Sequence, residues 1–132
     1  MTYNELTYKI RGCTFEVYNQ LGPGLLESIY EKALIYELQK AGLSVKNQVH
    51  VPVVYKDVVL ETNYILDILV EDAVIIELKS VEKVLDVHKK QLLTYLKITN
   101  KRVGYLINFN DGNIINGMTR IVNGLRNNNE EI

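Results

Sequence analysis

The chain has 132 residues, 47% of them hydrophobic and 23% charged, with a formal net charge of −1. That balance excludes a disordered chain and supplies apolar side chains for one domain with a core of two or three layers; the domain is expected to span residues 1–126, with the polar end 127–132 disordered. The charge gives no overall basic excess of the kind that binds long nucleic acid unaided, and every apolar run is shorter than the roughly 20 residues of a membrane helix. The lone Cys13 cannot form an internal disulfide, and Met-Thr-Tyr-Asn-Glu at the start lacks a basic-then-apolar leader pattern, so the expected setting is the cytoplasm without membrane association.

Thr2 to Leu21 is predicted as a helix. Thr2 and Glu5 have capping-box spacing, and Leu6, Ile10, Cys13, Val17 and Leu21 form one apolar stripe before Gly22-Pro23-Gly24 stops it. A second helix is expected from Leu25 to Ala41, burying Leu26, Ile29, Tyr30, Ala33, Leu34 and Leu38, with Gly42 as a left-handed terminator. Glu27 falls in its first turn, where the helix dipole favours a negative charge. From Leu43 to Tyr55 the period changes to two, placing Val45, Val49, Val51, Val53 and Tyr55 on one face, with Pro52 marking an edge or bulge. Lys56-Asp57 is a turn, and Val58 to Val70 returns as a long strand. After a strand over 73–79 come a helix from Leu85 to Ile98 and a strand from Val103 to Phe109. A connection of that length is a crossover, so strand 103–109 should lie parallel to strand 73–79. A short strand is expected near Met118 to Val122.

The most informative stretch is Asp67 to Lys79. Two apolar runs, Ile68 to Val70 and Ala73 to Leu78, read as a hairpin of buried strands turning at Glu71-Asp72. Asp67, Glu77 and Lys79 are ionisable residues in that setting, which costs free energy unless they are paired or bind an ion. Alternation puts Glu77 and Lys79 on one face and Val74, Ile76 and Leu78 on the other. A strict two-residue loop pairs 66 with 77 and turns Asp67 away; a three-residue loop, or a bulge near 67, pairs 67 with 77. The second arrangement is expected, because carboxylates with Cβ atoms roughly 5 Å apart can share a divalent cation, with Lys79 beside them. The alternative is a buried Asp/Glu/Lys ion-pair cluster without metal. Between 79 and 102 seven bases (Lys79, Lys83, Lys89, Lys90, Lys97, Lys101, Arg102) face two acids, Glu82 and Asp86, which on charge alone is a solvated helix face.

The Asp67 then Glu77-x-Lys79 spacing resembles the core motif of the PD-(D/E)XK nuclease superfamily. The segment Gly24-x-x-Glu27-x-x-Tyr30 resembles the signature of the small bacterial GxxExxY proteins, and the likeness continues through Glu31-Lys32-Ala33-Leu34, Val51-Pro52-Val53-Val54-Tyr55-Lys56, Asp67-Ile68-Leu69-Val70, Glu77-Leu78-Lys79, Gln91-Leu92-Leu93-Thr94-Tyr95-Leu96 and Leu106-Ile107-Asn108-Phe109-Asn110. The resemblance implies an α/β (α+β) restriction-endonuclease-like core, a mixed central sheet flanked by helices in the order α-α-β-β-β-α-β. It implies Mg2+ (or Mn2+) held by Asp67, Glu77, the main-chain carbonyl of Leu78 and Glu27, with Lys79 assisting the attacking water and Gln91 positioning it. His88, Tyr95 and Tyr30 are secondary candidates. Two positions depart from the family pattern: Tyr18 where histidine is frequent, and Ile65 where arginine is common, a loss that would weaken phosphate binding.

The function implied is hydrolysis of phosphodiester bonds in nucleic acid, DNA ahead of RNA, with a homodimer admitted by analogy. The alternative is a non-catalytic nucleic-acid or protein binding module on the same scaffold, for which the small size and the modest local basic excess speak. Cysteine hydrolysis by Cys13 and His88 is disfavoured, because Cys13 lies on the apolar stripe.

Overall fold

The apolar stripe of the first helix and the near-continuous apolar runs of the central strands settle the architecture. The computed structural model describes residues 1–132. Its elements are α1 (Tyr3–Leu21), α2 (Glu27–Lys40), β1 (Val45–His50), β2 (Val53–Tyr55), β3 (Val58–Leu60), β4 (Ile65–Val70), β5 (Val74–Lys79), α3 (Asp86–Thr99), β6 (Val103–Asn108), α4 (Ile114–Gly117) and β7 (Met118–Val122). Five strands form one sheet in the order β1-β4-β5-β6-β7. The pair β5 and β6 is parallel and the other three pairs are antiparallel, so the sheet is mixed, as expected for a restriction-endonuclease-like fold.

Both faces of the sheet are covered. On one, Leu6, Ile10 and Val17 of α1 and Tyr30, Leu34 and Leu38 of α2 meet Ile68, Val70, Val74, Ile76 and Leu78. On the other, Leu92, Tyr95 and Leu96 of α3 meet Leu66, Leu69, Ile75 and Leu106. This is why β5 reads as a continuous apolar run: successive side chains enter different cores. Gly104 lets α3 approach β6, since a Cβ there would stand 2.9 Å from Leu92 Cδ1.

Three expectations need correction. The two long strands, 43–55 and 58–70, are each broken. Pro52 has no N–H to give a ladder; on the return side Thr62 Oγ1 donates to Val51 O (2.6 Å) and accepts from Tyr64 N–H (3.1 Å), replacing strand pairing with local bonds. The excised piece, β2 and β3, pairs only with itself, leaving Val54, Tyr55 and Val59 66%, 60% and 65% exposed. Next, α2 begins at Glu27, and Leu26 and Ile29 are exposed at 74% and 41%. The preceding loop is fixed without them: the Tyr30 hydroxyl donates to Gly22 O (2.5 Å) and accepts from Leu25 N–H (3.1 Å), with its ring stacked on Phe109 at 4.4 Å. Third, the expected element order lacked α4, which precedes the strand expected at 118–122 and found there as β7. Segment 127–132 runs beside the start of α1, whose first-turn amides need acceptors. Tyr3 N–H donates to Glu130 O (2.9 Å) and Asn4 N–H to Asn128 O (2.8 Å).

Candidate active site

The turn between β4 and β5 decides where Asp67 goes. Glu71 and Asp72 both have φ 52, and Val70 pairs with Val74, Leu69 with Ile75 and Ile68 with Ile76, so the loop is the three residues 71–73. One step further, this register sets Asp67 opposite Glu77, but there main-chain pairing stops. Asp67 N–H donates to Glu77 Oε1 at 3.2 Å, and Asp67 Oδ2 accepts from Leu78 N–H at 2.8 Å. On the other edge of β4, Asn47 pairs with Ile68 and Val49 with Leu66, while Gln48 between them is left-handed, φ 51. Asp67 is thus released from both ladders, and its side chain bonds where a backbone carbonyl would otherwise sit.

Glu27 approaches Asp67 from α2, in a cleft that Glu77 does not line. Its Oε1 accepts from Ser80 N–H at 3.3 Å, and Ser80 Oγ donates to Leu25 O at 2.6 Å, so the residue after Lys79 ties the start of α2 to the end of β5. Asn108 fixes the following turn: its Oδ1 accepts from Val81 N–H (3.1 Å) and its Nδ2 donates to Val81 O (2.9 Å). Glu27, Ser28, Glu31, Gln48, Asp67 and Leu78 line a cleft of about 290 Å³. A larger groove, about 600 Å³, runs between α1 and α2 beside Tyr8, Phe15 and Glu37 and contains none of these residues.

Electrostatics mark the pair. Burial first, and the neighbouring Asp67 charge second, push the Glu77 carboxyl up to about 9. Asp67 is also raised, chiefly by burial, with Glu31 and Glu27 adding to it. Near neutral pH the two carboxyls therefore hold a proton between them. Lys79 acts on Glu77 only weakly and forms no ion pair; the ion pairs of the chain are Met1 with Glu131 and Lys101 with Asp72. The metal-free ion-pair cluster considered from the sequence is therefore not formed.

From the opposite side of the sheet, Gln91 Nε2 donates to the Tyr95 hydroxyl at 3.0 Å. The Tyr95 phenol is raised by burial and then by Glu77, and Tyr64 packs against its ring edge-on at 5.6 Å. Two secondary candidates are committed elsewhere. His88 Nδ1 accepts from Leu85 N–H (3.1 Å) and caps α3, and Tyr30 fixes the loop before α2. Tyr18 donates to Asp111 O (2.8 Å), and Ile65 pairs with His50 across β1 and β4. Cys13 is buried on α1, where desolvation raises its thiol.

The donor set suits a hard divalent cation: carboxylate oxygens of Asp67 and Glu77, an acidic residue across the cleft, and no basic side chain already balancing them. The carboxylates are turned onto backbone amides, and no three Asp, Glu, His or Cys side chains stand as a ready-made ligand set. A cation would therefore have to displace the shared proton and redirect these side chains.

Ser80, Gln48 and Tyr64 were not singled out as site residues in the sequence, and Glu31 entered only as part of the family resemblance, without a role. Glu31 follows Glu27 by four residues on α2, a spacing that alone places both on one helix face. Gln48 carried no such signal, because its role depends on backbone handedness.

A family model described as the PD-(D/E)XK nuclease superfamily matches residues 4–121. Comparison with curated proteins and with solved structures gives no match.

Proposed function

Because the chain belongs to the PD-(D/E)XK nuclease superfamily, we propose that it is a Mg2+- or Mn2+-dependent phosphodiesterase acting on nucleic acid, DNA ahead of RNA. The finer placement among the GxxExxY proteins is part of the same proposal and rests on Gly24, Glu27 and Tyr30. The observation that carries the reading is the buried pair Asp67 and Glu77, released from strand pairing and left without a cationic partner.

Asp67, Glu77 and the main-chain carbonyl of Leu78 would hold the ion, with Glu27 facing Asp67 across the cleft. When bound, the cation supplies charge stabilisation at the phosphate and lowers the pKa of a water. Lys79, two residues beyond Glu77 on the same strand face and free of any ion pair, orients that water or offsets charge developing on the phosphate. Gln91, held by Tyr95, positions the water from the α3 side. Lys83, Lys89, Lys90 and Lys97 supply backbone-phosphate contacts, whereas Lys101 and Arg102 are engaged with Asp72 and Gly124.

The exposed β2 and β3 hairpin supports a homodimer. A two-stranded hairpin is marginal alone, and Lys56, Asp57 and Glu61 give it no basic excess for a polyanion. A second reading, the binding module without catalysis, is favoured by the absence of a ready-made ligand set.

The test is cleavage of single- and double-stranded DNA and of RNA with Mg2+ or Mn2+, beside Lys79→Ala and a chelator control. Metal-dependent cleavage lost in Lys79→Ala supports the enzyme; equal signals in both proteins reject it. Mg2+-dependent heat on titration, with no cleavage of any substrate, would leave the module.

A further inference from the structure

Tyr64 stands one residue before β4 and three before Asp67, roughly 10 Å along the chain, and its side chain is 41% exposed. It is nevertheless held from three directions. Its N–H donates to Thr62 Oγ1 (3.1 Å), its carbonyl accepts from Val51 N–H (2.9 Å), and its ring meets the Tyr95 ring at 5.6 Å and 61°. Tyr95 beneath it is buried, and its phenol is raised first by that burial and then by the charges of Glu77 and Asp67. The ring that supports Tyr64 therefore lies within reach of both carboxyl groups. An aromatic side chain pinned on a buried ring, with its remaining surface in solvent, is already ordered for a flat partner and loses little freedom on binding one.

We infer that the substrate is nucleic acid with an unpaired nucleotide beside the cleaved phosphate, and that Tyr64 is the specificity-determining residue, stacking on the base of that nucleotide. The inference rests on the nuclease reading above and narrows it to a substrate class. Inside a duplex both faces of a base are covered by its neighbours, so a protein ring can stack only where a base is unpaired. Such stacking tolerates any sequence, because every base has a π-face. Charge supports the same conclusion independently. Affinity for duplex without base contacts grows with the number of phosphates neutralised, and a chain of net charge −1 has few cations to spare. Two of the bases between 79 and 102, Lys101 and Arg102, are engaged with Asp72 and Gly124. A base held on Tyr64 supplies affinity that the phosphate contacts alone do not.

The experiment is fluorescence anisotropy with Ca2+, which binds through the same oxygen ligands as Mg2+, on three labelled probes: oligothymidylate, its duplex with the complementary strand, and an abasic strand of equal length that keeps the phosphates and lacks the bases. The wild type should bind oligothymidylate about 10-fold more tightly than the abasic strand, and more tightly than the duplex. Tyr64→Phe should keep that preference, and Tyr64→Ala should bind the two single strands alike. Tyr64→Leu retains an apolar contact with Tyr95 and should melt near the wild type while losing the preference. Because the preference is a ratio within one protein, a partly unfolded variant lowers both affinities and leaves the ratio intact. A wild type that binds duplex at least as tightly as oligothymidylate, or does not distinguish the two single strands, overturns the inference and leaves the nuclease reading standing. So does a Tyr64→Leu or Tyr64→Ala chain with the full wild-type preference. A folded wild-type chain that binds none of the three probes overturns both.

Discussion

Replacing Glu77 by glutamine should stabilise the metal-free protein at alkaline pH. The amide oxygen can still accept from Asp67 N–H, as the carboxylate does at 3.2 Å, and the amide nitrogen can donate to the Asp67 carboxylate. What disappears is the titration. The folded-state value of Glu77, about 9, lies above its ordinary 4.5, so the folded protein holds an extra proton between those limits. Its contribution to stability is complete below pH 4.5 and is drained as pH rises to 9. The full displacement corresponds to roughly 6 kcal/mol, an upper bound because water and side-chain relaxation reach an ionised pair. Half of that, about 3 kcal/mol, would separate the two melting temperatures by about 10 °C in a chain of this size. The assay is thermal or urea unfolding of both proteins in chelator at pH 5, 7 and 9, read as the difference between them, which cancels titration common to both. A difference that stays flat from pH 5 to 9, or a wild type that gains on Glu77→Gln as pH rises, refutes the buried-pair argument.

The same proton competes with a cation, so Mn2+ binding at pH 7.5 should release about one proton, measurable as heats that vary with buffer ionisation enthalpy, and affinity should rise toward pH 9. Gly117→Ala should destabilise the fold by about 2 kcal/mol or more in urea unfolding, since a Cβ at 117 would stand 2.5 Å from the Asn108 carbonyl oxygen. A chain that unfolds at the wild-type urea concentration would contradict that packing. Val54→Glu or Val59→Glu on the hairpin should shift sedimentation toward monomer without lowering the melting temperature; unchanged sedimentation would remove the hairpin from any dimer contact.

Much of the site was legible because its determinants are local. Loop length at Glu71-Asp72-Ala73 fixes the register that sets Asp67 opposite Glu77, and alternation puts Lys79 on the Glu77 face. The parallel pairing of β5 with β6 followed from the crossover through α3. Other features depend on contacts distant in sequence. Leu26 and Ile29 have the spacing of buried residues, but Tyr30 and Ser80 fix the start of α2 in another way and leave them outside. The polar tail has the composition of a frayed end, and its carbonyls accept from the first-turn amides of α1. Pro52 did signal a fault in β1, but not that the next eight residues would leave the sheet as a separate hairpin. Gln48 was invisible because a left-handed glutamine is set by what it must touch, not by its own preference.

A crystal soaked in Mn2+ and measured for anomalous scattering tests the central claim most directly. The account predicts a single strong peak bounded by Asp67, Glu77 and the Leu78 carbonyl, with both carboxylates swung off the amides of Leu78 and Asp67. An ordered Asp67 and Glu77 still bonded to those amides, with no peak between them at millimolar Mn2+, would contradict it.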